Sequence, residues 1–216
     1  MPNIKINEYL CKIFYNQYIE ISNKKYNKMI VYNESTYKNA DNKEINYVIK
    51  VDTGIKRRGK NSLIRYNIEF NQIETIIKEF NDLGYGKLII EPFYNIKVEE
   101  YISISKTLNN IEILYCKNGG IYLNNENIIR YNLNYNLSNL NELPFNNNFL
   151  DYIRFLLDFS NKYQMTYVEI NPLVIDNDNN FIPLDFAVYI DDTSFYLLED
   201  KDITKILDSK SELNNL

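Results

Sequence analysis

The sequence predicts an α+β protein built as two lobes that share one cleft. Helical and extended patterns alternate irregularly, and several extended runs are joined by hairpin turns. The regular strand-helix alternation of a doubly wound parallel sheet is absent. No linker divides the chain, so two lobes around a common cleft describe it better than two separate domains.

At 216 residues the chain is long enough to bury a sizeable core. A hydrophobic fraction of 45% and a charged fraction of 25% place it among ordinary soluble globular proteins. The net charge of -5 argues against a nucleic-acid partner, since backbone phosphates require a basic surface. Cys11 and Cys116 match no metal or redox spacing and read as two reduced core thiols. No apolar run approaches the ~20 residues of a membrane helix, and Met1 to Glu8 has no signal-peptide core. A cytoplasmic setting without membrane attachment is therefore expected. Histidine is absent, which excludes a histidine base, a phosphohistidine or a histidine-ligated zinc within these residues. The Asn, Ile, Lys and Tyr bias runs along the whole chain and weakens propensity arguments throughout.

Taken in order, residues 7–18 place Leu10, Ile13, Phe14 and Gln17 at helical spacing. Residues 34–45 are polar and read as a loop. Tyr47 to Val51 is an expected strand, as is Ser62 to Phe70, with Gly54, Gly59 and a basic run between them. Asn71 to Leu83 is an expected helix capped by Asn71, with Glu74 completing a capping box. Its apolar stripe is Ile73, Ile76, Ile77 and Phe80. Gly84-Tyr-Gly86 ends it through a left-handed residue. Strands follow at Lys87 to Phe93 and Glu99 to Leu108, and Asn109-Asn110 turns the chain into Ile111 to Cys116. Gly119-Gly120 makes a further turn. Residues 132–148 are Asn-rich and read as a loop with one weak helical turn. Phe149 to Tyr163 is a helix, Thr166 to Val188 a hairpin, and the chain from Glu199 a polar tail with a short helix.

Three segments carry chemistry. The first is Lys50-Val-Asp-Thr-Gly-Ile-Lys-Arg-Arg-Gly-Lys60. A lysine at a strand end offers a point charge to phosphate, arginine adds a donor fork, and Gly59 permits close backbone approach. On its own the segment reads more simply as a solvated basic turn. The second is the hairpin Tyr167 to Ala187. Symmetry about Asp178 places Asn171 opposite Asp185 and Glu169 opposite Ala187. Val168, Ile170, Val174, Ile182, Leu184 and Phe186 then form a core face. The opposite face gathers Glu169, Asn171 and Asp185, hard oxygen donors of the kind Mg²⁺ takes; an edge hairpin with a wet polar face is the alternative. The third is Leu88 to Tyr94 followed by Glu99 to Ser105. A strand that stops at Pro92 leaves backbone groups for a ligand such as adenine, and Glu100 offers acceptors to ribose. On its own the segment reads more simply as a plain strand-turn-strand.

In this order the three segments resemble the ATP-grasp region of ATP-citrate lyase, itself similar to the succinyl-CoA synthetase β subunit. The resemblance rests on Ile55-Lys-Arg-Arg-Gly-Lys60, Ile90-Glu-Pro-Phe93, Glu99-Glu-Tyr101, Val168-Glu-Ile-Asn-Pro-Leu-Val174 and Leu184-Asp-Phe-Ala187. It implies an ATP-grasp domain over residues 5–195, with residues 196–216 as a polar tail. It also implies that Lys50, Arg58 and Gly59 hold nucleotide phosphates, that Pro92 and Tyr94 lie along the adenine, and that Glu100 binds ribose. Asn171 and Asp185 would hold Mg²⁺, with Glu169 behind them. The family passes the γ-phosphoryl group to a histidine, so a histidine-bearing partner that binds citrate and CoA is implied. Two departures stand out. The stretch between Pro92 and Glu99 is one residue shorter than in the family, and no acidic residue closely follows Gly119-Gly120.

Overall fold

The computed structural model describes residues 3–54, 58, 59, 61–94, 98–176 and 178–214. Two antiparallel sheets organise it. The small sheet has the order β3-β2-β4, with β2 at Tyr47–Val51, β3 at Ile64–Ile68 and β4 at Leu88–Pro92. The large sheet runs β1-β10-β8-β5-β6-β7, and β9 pairs with β8 beyond that path. Its strands are β1 (Asn3–Ile6), β5 (Glu100–Lys106), β6 (Ile111–Cys116), β7 (Ile129–Leu133), β8 (Met165–Ile175), β9 (Phe181–Pro183) and β10 (Phe186–Asp191).

Strand alternation sorts the residues of each sheet between two faces. In the small sheet Tyr47, Ile49, Val51, Leu88 and Ile90 pack with Ile73 and Phe80 of α2 (Ile73–Asp82). Val48, Lys50, Ile89 and Glu91 lie on its other face, since Lys50 pairs with Ile89 and Val48 with Glu91. In the large sheet Ile102, Ile104, Ile111, Ile113, Val168, Ile170, Val188 and Ile190 pack under α1 (Glu8–Ser22) and α3 (Asn147–Lys162). The faces left over carry the polar residues of both sheets.

The helices follow their caps. Asn7 Oδ1 accepts from the Leu10 N–H at 2.9 Å and starts α1, and Asn146 does the same for Phe149 in α3. α1 is longer than expected and rotated: Leu10, Cys11, Phe14, Tyr15 and Ile19 are buried, whereas Ile13 and Gln17 are only half-buried. The capping box ahead of α2 belongs to Glu69 and Gln72 and starts a 3₁₀ turn, so it lies just before the expected Asn71 and Glu74. Gly84, with φ +88°, ends α2 as expected.

Other differences have local causes. β1 and β7 were not foreseen; both are edge strands, and β7 lies in a run whose Asn content hides its alternation. The Asn-rich stretch that follows is ordered by its own side chains. Asn134 N–H donates to Asn139 Oδ1, and Asn139 donates to the Asn132 carbonyl, around buried Leu133 and Leu140. The terminal helix is fifteen residues long, α4 (Asp200–Asn214), and buries Ile206 in the main core.

The β8 hairpin register is the expected one: Glu169 pairs with Ala187, Leu173 with Pro183 and Ile175 with Phe181. The core face corrects in part. Regular pairing stops at Asn171-Pro172 and Leu184-Asp185, and the parity of the buried residues changes there. Beyond the break Leu173 and Phe181 enter the main core in place of Val174 and Ile182.

Candidate functional site

Lys50 leaves the small sheet on the face away from α2, and Arg58 follows in the loop after β2. Their charged ends meet the start of α1 and the break in the β8–β10 hairpin. Arg58 donates to the Val51 carbonyl at 3.1 Å and pairs with Glu8 and, at 2.8 Å, with Asp185. Lys50 donates to the Leu184 carbonyl at 2.6 Å, pairs with Glu91, and lies 3.4 Å from Glu8. Lys12, one turn along α1 from Glu8, completes the group. It sits 2.7 Å from Glu8, pairs with Glu91, and donates to the Leu184 carbonyl at 2.9 Å. Three cations and three carboxylates from both sheets and α1 thus form one buried cluster.

The cluster explains its own electrostatics. Burial alone would raise the Glu8 carboxyl, but Arg58, Lys12 and Lys50 together hold it well below the usual range. Burial opposes the charge on Lys50 and Arg58, yet Glu8 and its neighbours leave both raised. Asp185 goes the other way. Burial, then repulsion from Glu8, pushes it up to about 7 against the pull of Arg58 and Lys50. Its side chain keeps 37% of its surface open, so protein surrounds the carboxyl while one edge meets solvent.

Asp52 ties the small sheet to α1. Its two oxygens accept from the Glu8 and Tyr9 N–H groups at 2.9 and 3.1 Å, which places a carboxylate on the positive end of the helix. Burial, then Glu8, raises it to about 6. Lys5 adds a bond to the Gly54 carbonyl at 2.7 Å.

The Gly119-Gly120 turn brings in Asn171. Gly120 N–H donates to Asn171 Oδ1 at 2.6 Å, and Gly119 N–H to the Glu99 carbonyl at 2.6 Å. Both glycines are needed: a Cβ at Gly119 would lie 2.3 Å from the Glu100 carbonyl oxygen, and one at Gly120, with φ +62°, 1.7 Å from Glu99 Oε2. Asn171 N–H also donates to the Asp185 carbonyl at 3.1 Å, so the two expected metal ligands are backbone neighbours. Oδ1 keeps a second lone pair, and with the Asp185 carboxylate it offers two hard oxygens. That donor set fits Mg²⁺, which takes one or two protein oxygens and leaves other positions to water and phosphate. Among the described residues, no three His, Cys, Asp or Glu side chains gather as a metal site. Glu169 is engaged elsewhere on this face, accepting from Tyr167 and, at 3.5 Å, from Tyr101.

The remaining residues sit around the cluster. Pro92 closes β4, and Phe93 N–H donates to the Asn46 carbonyl at 2.8 Å. Tyr94 is 37% exposed, and burial, then the Glu91 charge, pushes its phenol up. Glu100 stands apart: its carboxylate accepts from the Tyr115 hydroxyl at 3.1 Å. Around Gly59 a Cβ would meet only the Tyr66 hydroxyl at 3.6 Å, an ordinary contact, so the fold tolerates a side chain there. Ile55, Lys56, Arg57 and Lys60 of the basic run lie outside the described residues, as do Asn95 to Lys97 before the paired glutamates. A separate hollow of about 260 Å³ between Tyr37, Lys43 and Phe70 contains no residue of the cluster.

Sequence reasoning missed Glu8, Lys12, Asp52 and Glu91. The signal for Glu8 and Lys12 was present. They stand four residues apart on the same stripe as Tyr15 and Ile19, where a charged pair is out of place unless something buries and pairs it.

The chain is similar to ATP-citrate synthases. It is 28% identical over 183 residues to that of Mus musculus, covering 71% of this chain and 16% of the relative. It is also 28% identical over 181 residues to the probable ATP-citrate synthase subunit 2 of Schizosaccharomyces pombe, covering 70% and 37%. The matched stretch is thus about a sixth of the mouse protein and just over a third of the yeast one. No family model matches the chain. The fold is shared with the ATP citrate lyase of Methanothrix soehngenii, solved with citrate and coenzyme A: TM-score 0.73, 20% identity, covering 93% of this chain and 54% of that one. It is also shared with the dinucleotide-forming acetyl-coenzyme A synthetase 1 of Ca. Korarchaeum cryptofilum, solved with coenzyme A and Mg-AMPPCP: TM-score 0.62, 13% identity, covering 85% and 92%. Among the described residues, no helix is long and apolar enough to cross a membrane.

Proposed function

We propose that this chain is an ATP-grasp nucleotide-binding unit that holds Mg-ATP between its two sheets and donates the γ-phosphoryl group within an acyl-CoA-forming system. One observation carries the reading: Lys50 and Arg58, borne by the small sheet and its loop, converge on the link between β9 and β10, Lys50 at the Leu184 carbonyl and Arg58 at the Asp185 carboxylate. Cations and an oxygen ligand on facing lobes are what a bound triphosphate with its metal requires. The similarity to ATP-citrate synthases and the fold shared with an acetyl-coenzyme A synthetase solved with Mg-AMPPCP support it.

In this reading Lys50 and Arg58 hold phosphate oxygens, and Gly59 lets the backbone close on them. Pro92 and Tyr94 border the base, and Glu100 takes the ribose. Asn171 and Asp185 would hold Mg²⁺, which would offset the charge that develops in transfer. The 216 residues contain no histidine. An acceptor imidazole therefore lies outside them, and a histidine-bearing partner with citrate- and CoA-binding regions would take the phosphoryl group as ADP leaves.

A second reading is a nucleotide-binding or protein-interaction relic without turnover. It is favoured by the engagement of both phosphate cations, since Lys50 and Arg58 already meet carboxylates and carbonyls of the chain itself. Calorimetric titration with ATP, with and without Mg²⁺, tests the main reading. Saturable binding that tightens with Mg²⁺ is expected. A folded chain that takes up no ATP in either condition would leave the interaction reading in its place.

A further inference from the structure

Lys12 is the one member of the cluster with no exposed surface, and the functional reading gives it no role. Burying an ammonium costs several kcal/mol before its pairing is counted, and an apolar side chain is often the cheaper way to fill such a place. Its contacts are those of Lys50. Both ammoniums reach Glu8 Oε1, both donate to the Leu184 carbonyl, and each takes one oxygen of Glu91, Lys12 at Oε2 and Lys50 at Oε1. An ammonium has three donors. Those of Lys50 are matched by Glu8, Glu91 and Leu184, so a phosphate oxygen reaches Lys50 only by replacing one of them.

We infer that Lys12 is a positioning residue, the counter-cation that retains Glu8 and Glu91 when Lys50 and Arg58 turn from them to the phosphates; this rests on the nucleotide reading above. Without Lys12, the two carboxylates would have only Lys50 and Arg58 to neutralise them. The phosphates would then compete with buried acids for the same donors, and leaving such an acid unpaired is strongly unfavourable. Lys12 never touches the nucleotide in this scheme. It sets how freely the two cations that do can be used.

The test is a double-mutant cycle of Lys12→Met and Glu91→Gln, titrating Mg-ATP and adenosine. Glu91→Gln removes an acid that competes for Lys50 and is expected to bind Mg-ATP several-fold more tightly than the parent. Adding Lys12→Met to it keeps the cluster charge-balanced, so the effect is read in a chain that tolerates the loss. Mg-ATP should then weaken about tenfold relative to Glu91→Gln, with adenosine changed less than twofold, and Lys12→Arg should stay within a few-fold of the parent. Equal Mg-ATP affinity with and without Lys12 in the Glu91→Gln background overturns the inference. So does a parallel loss of adenosine, the mark of a purely structural role. Failure of the parent itself to bind Mg-ATP removes the nucleotide reading first, and this inference with it.

Discussion

Asp185 concentrates the chemistry at the scale of single residues. It pairs with Arg58 at 2.8 Å, lies beside Glu8, and is pushed up to about 7 by burial and that neighbour. A carboxyl held protonated is a poor metal ligand, so Mg-ATP affinity should rise with pH as the proton is released near 7. Asp185→Asn keeps the shape and removes the charge. Arg58 retains Glu8 and the Val51 carbonyl in that variant, so the chain should stay folded. Mg-ATP should weaken at least tenfold while metal-free ATP changes little, and the pH dependence near neutrality should flatten. Isothermal titration across pH 6 to 8 measures all three. A variant that binds Mg-ATP like the parent would remove Asp185 from the metal site.

Among elements, the Gly119-Gly120 turn does the most positioning for its size. It fastens the start of β5 to the Asn171 side chain through two short bonds from its own N–H groups, and a methyl group at 119 would run into a backbone oxygen. Gly119→Ala should therefore cost about 1–3 kcal/mol, in the range of overpacked sites. It should also weaken the Mg²⁺ effect on ATP by displacing Asn171. Urea unfolding checks the first effect and titration with and without metal the second; unchanged stability would show that the turn yields without cost. This turn was legible in the sequence because glycine is scarce, with six in the chain. So were β2, the stripe of α2 and the β8 hairpin register, where alternation or periodicity is strong. What was illegible depended on tertiary partners. β1 exists because β10 offers an edge, α1 turns its Glu8-Lys12 stripe inward because Lys50, Arg58 and Glu91 meet it there, and α4 docks through Ile206 despite its polar composition. The sequence brought Lys50, Arg58, Asn171 and Asp185 to attention from motif chemistry. It could not show that carboxylates of the same chain surround the cations, since Glu8 and Glu91 come from segments 83 residues apart.

Across the whole molecule, the joint between small sheet, α1 and large sheet is made of charge, and this gives stability a shaped pH profile. Asp52 is raised from 3.8 to about 6 and Asp185 from 3.8 to about 7. Between about pH 4 and 7 the folded chain thus keeps protons that the unfolded chain has released, and stability falls as pH rises through that window. Glu8 acts with the opposite sign. Its folded value lies well below 4.5, so its contribution is present above that point and is lost on acidification. The two trends meet near pH 4, and the thermal midpoint should fall from there towards pH 7. Asp52→Asn should remove the part of the decline that runs from about pH 4 to 6, because an amide does not titrate there. The amide has one acceptor oxygen where Asp52 uses two, so one N–H of α1 loses its partner and the midpoint should be lower throughout. Asp185 contributes less to the decline than its shift implies, since solvent reaches one edge of the carboxyl and screens it. Melting curves at fixed ionic strength from pH 4.5 to 8 read the profile. A midpoint that stays level from pH 5 to 8 in the parent would mean that both carboxyls are ionised in the fold. The interlobe joint would then be held by full ion pairs, with no shared protons.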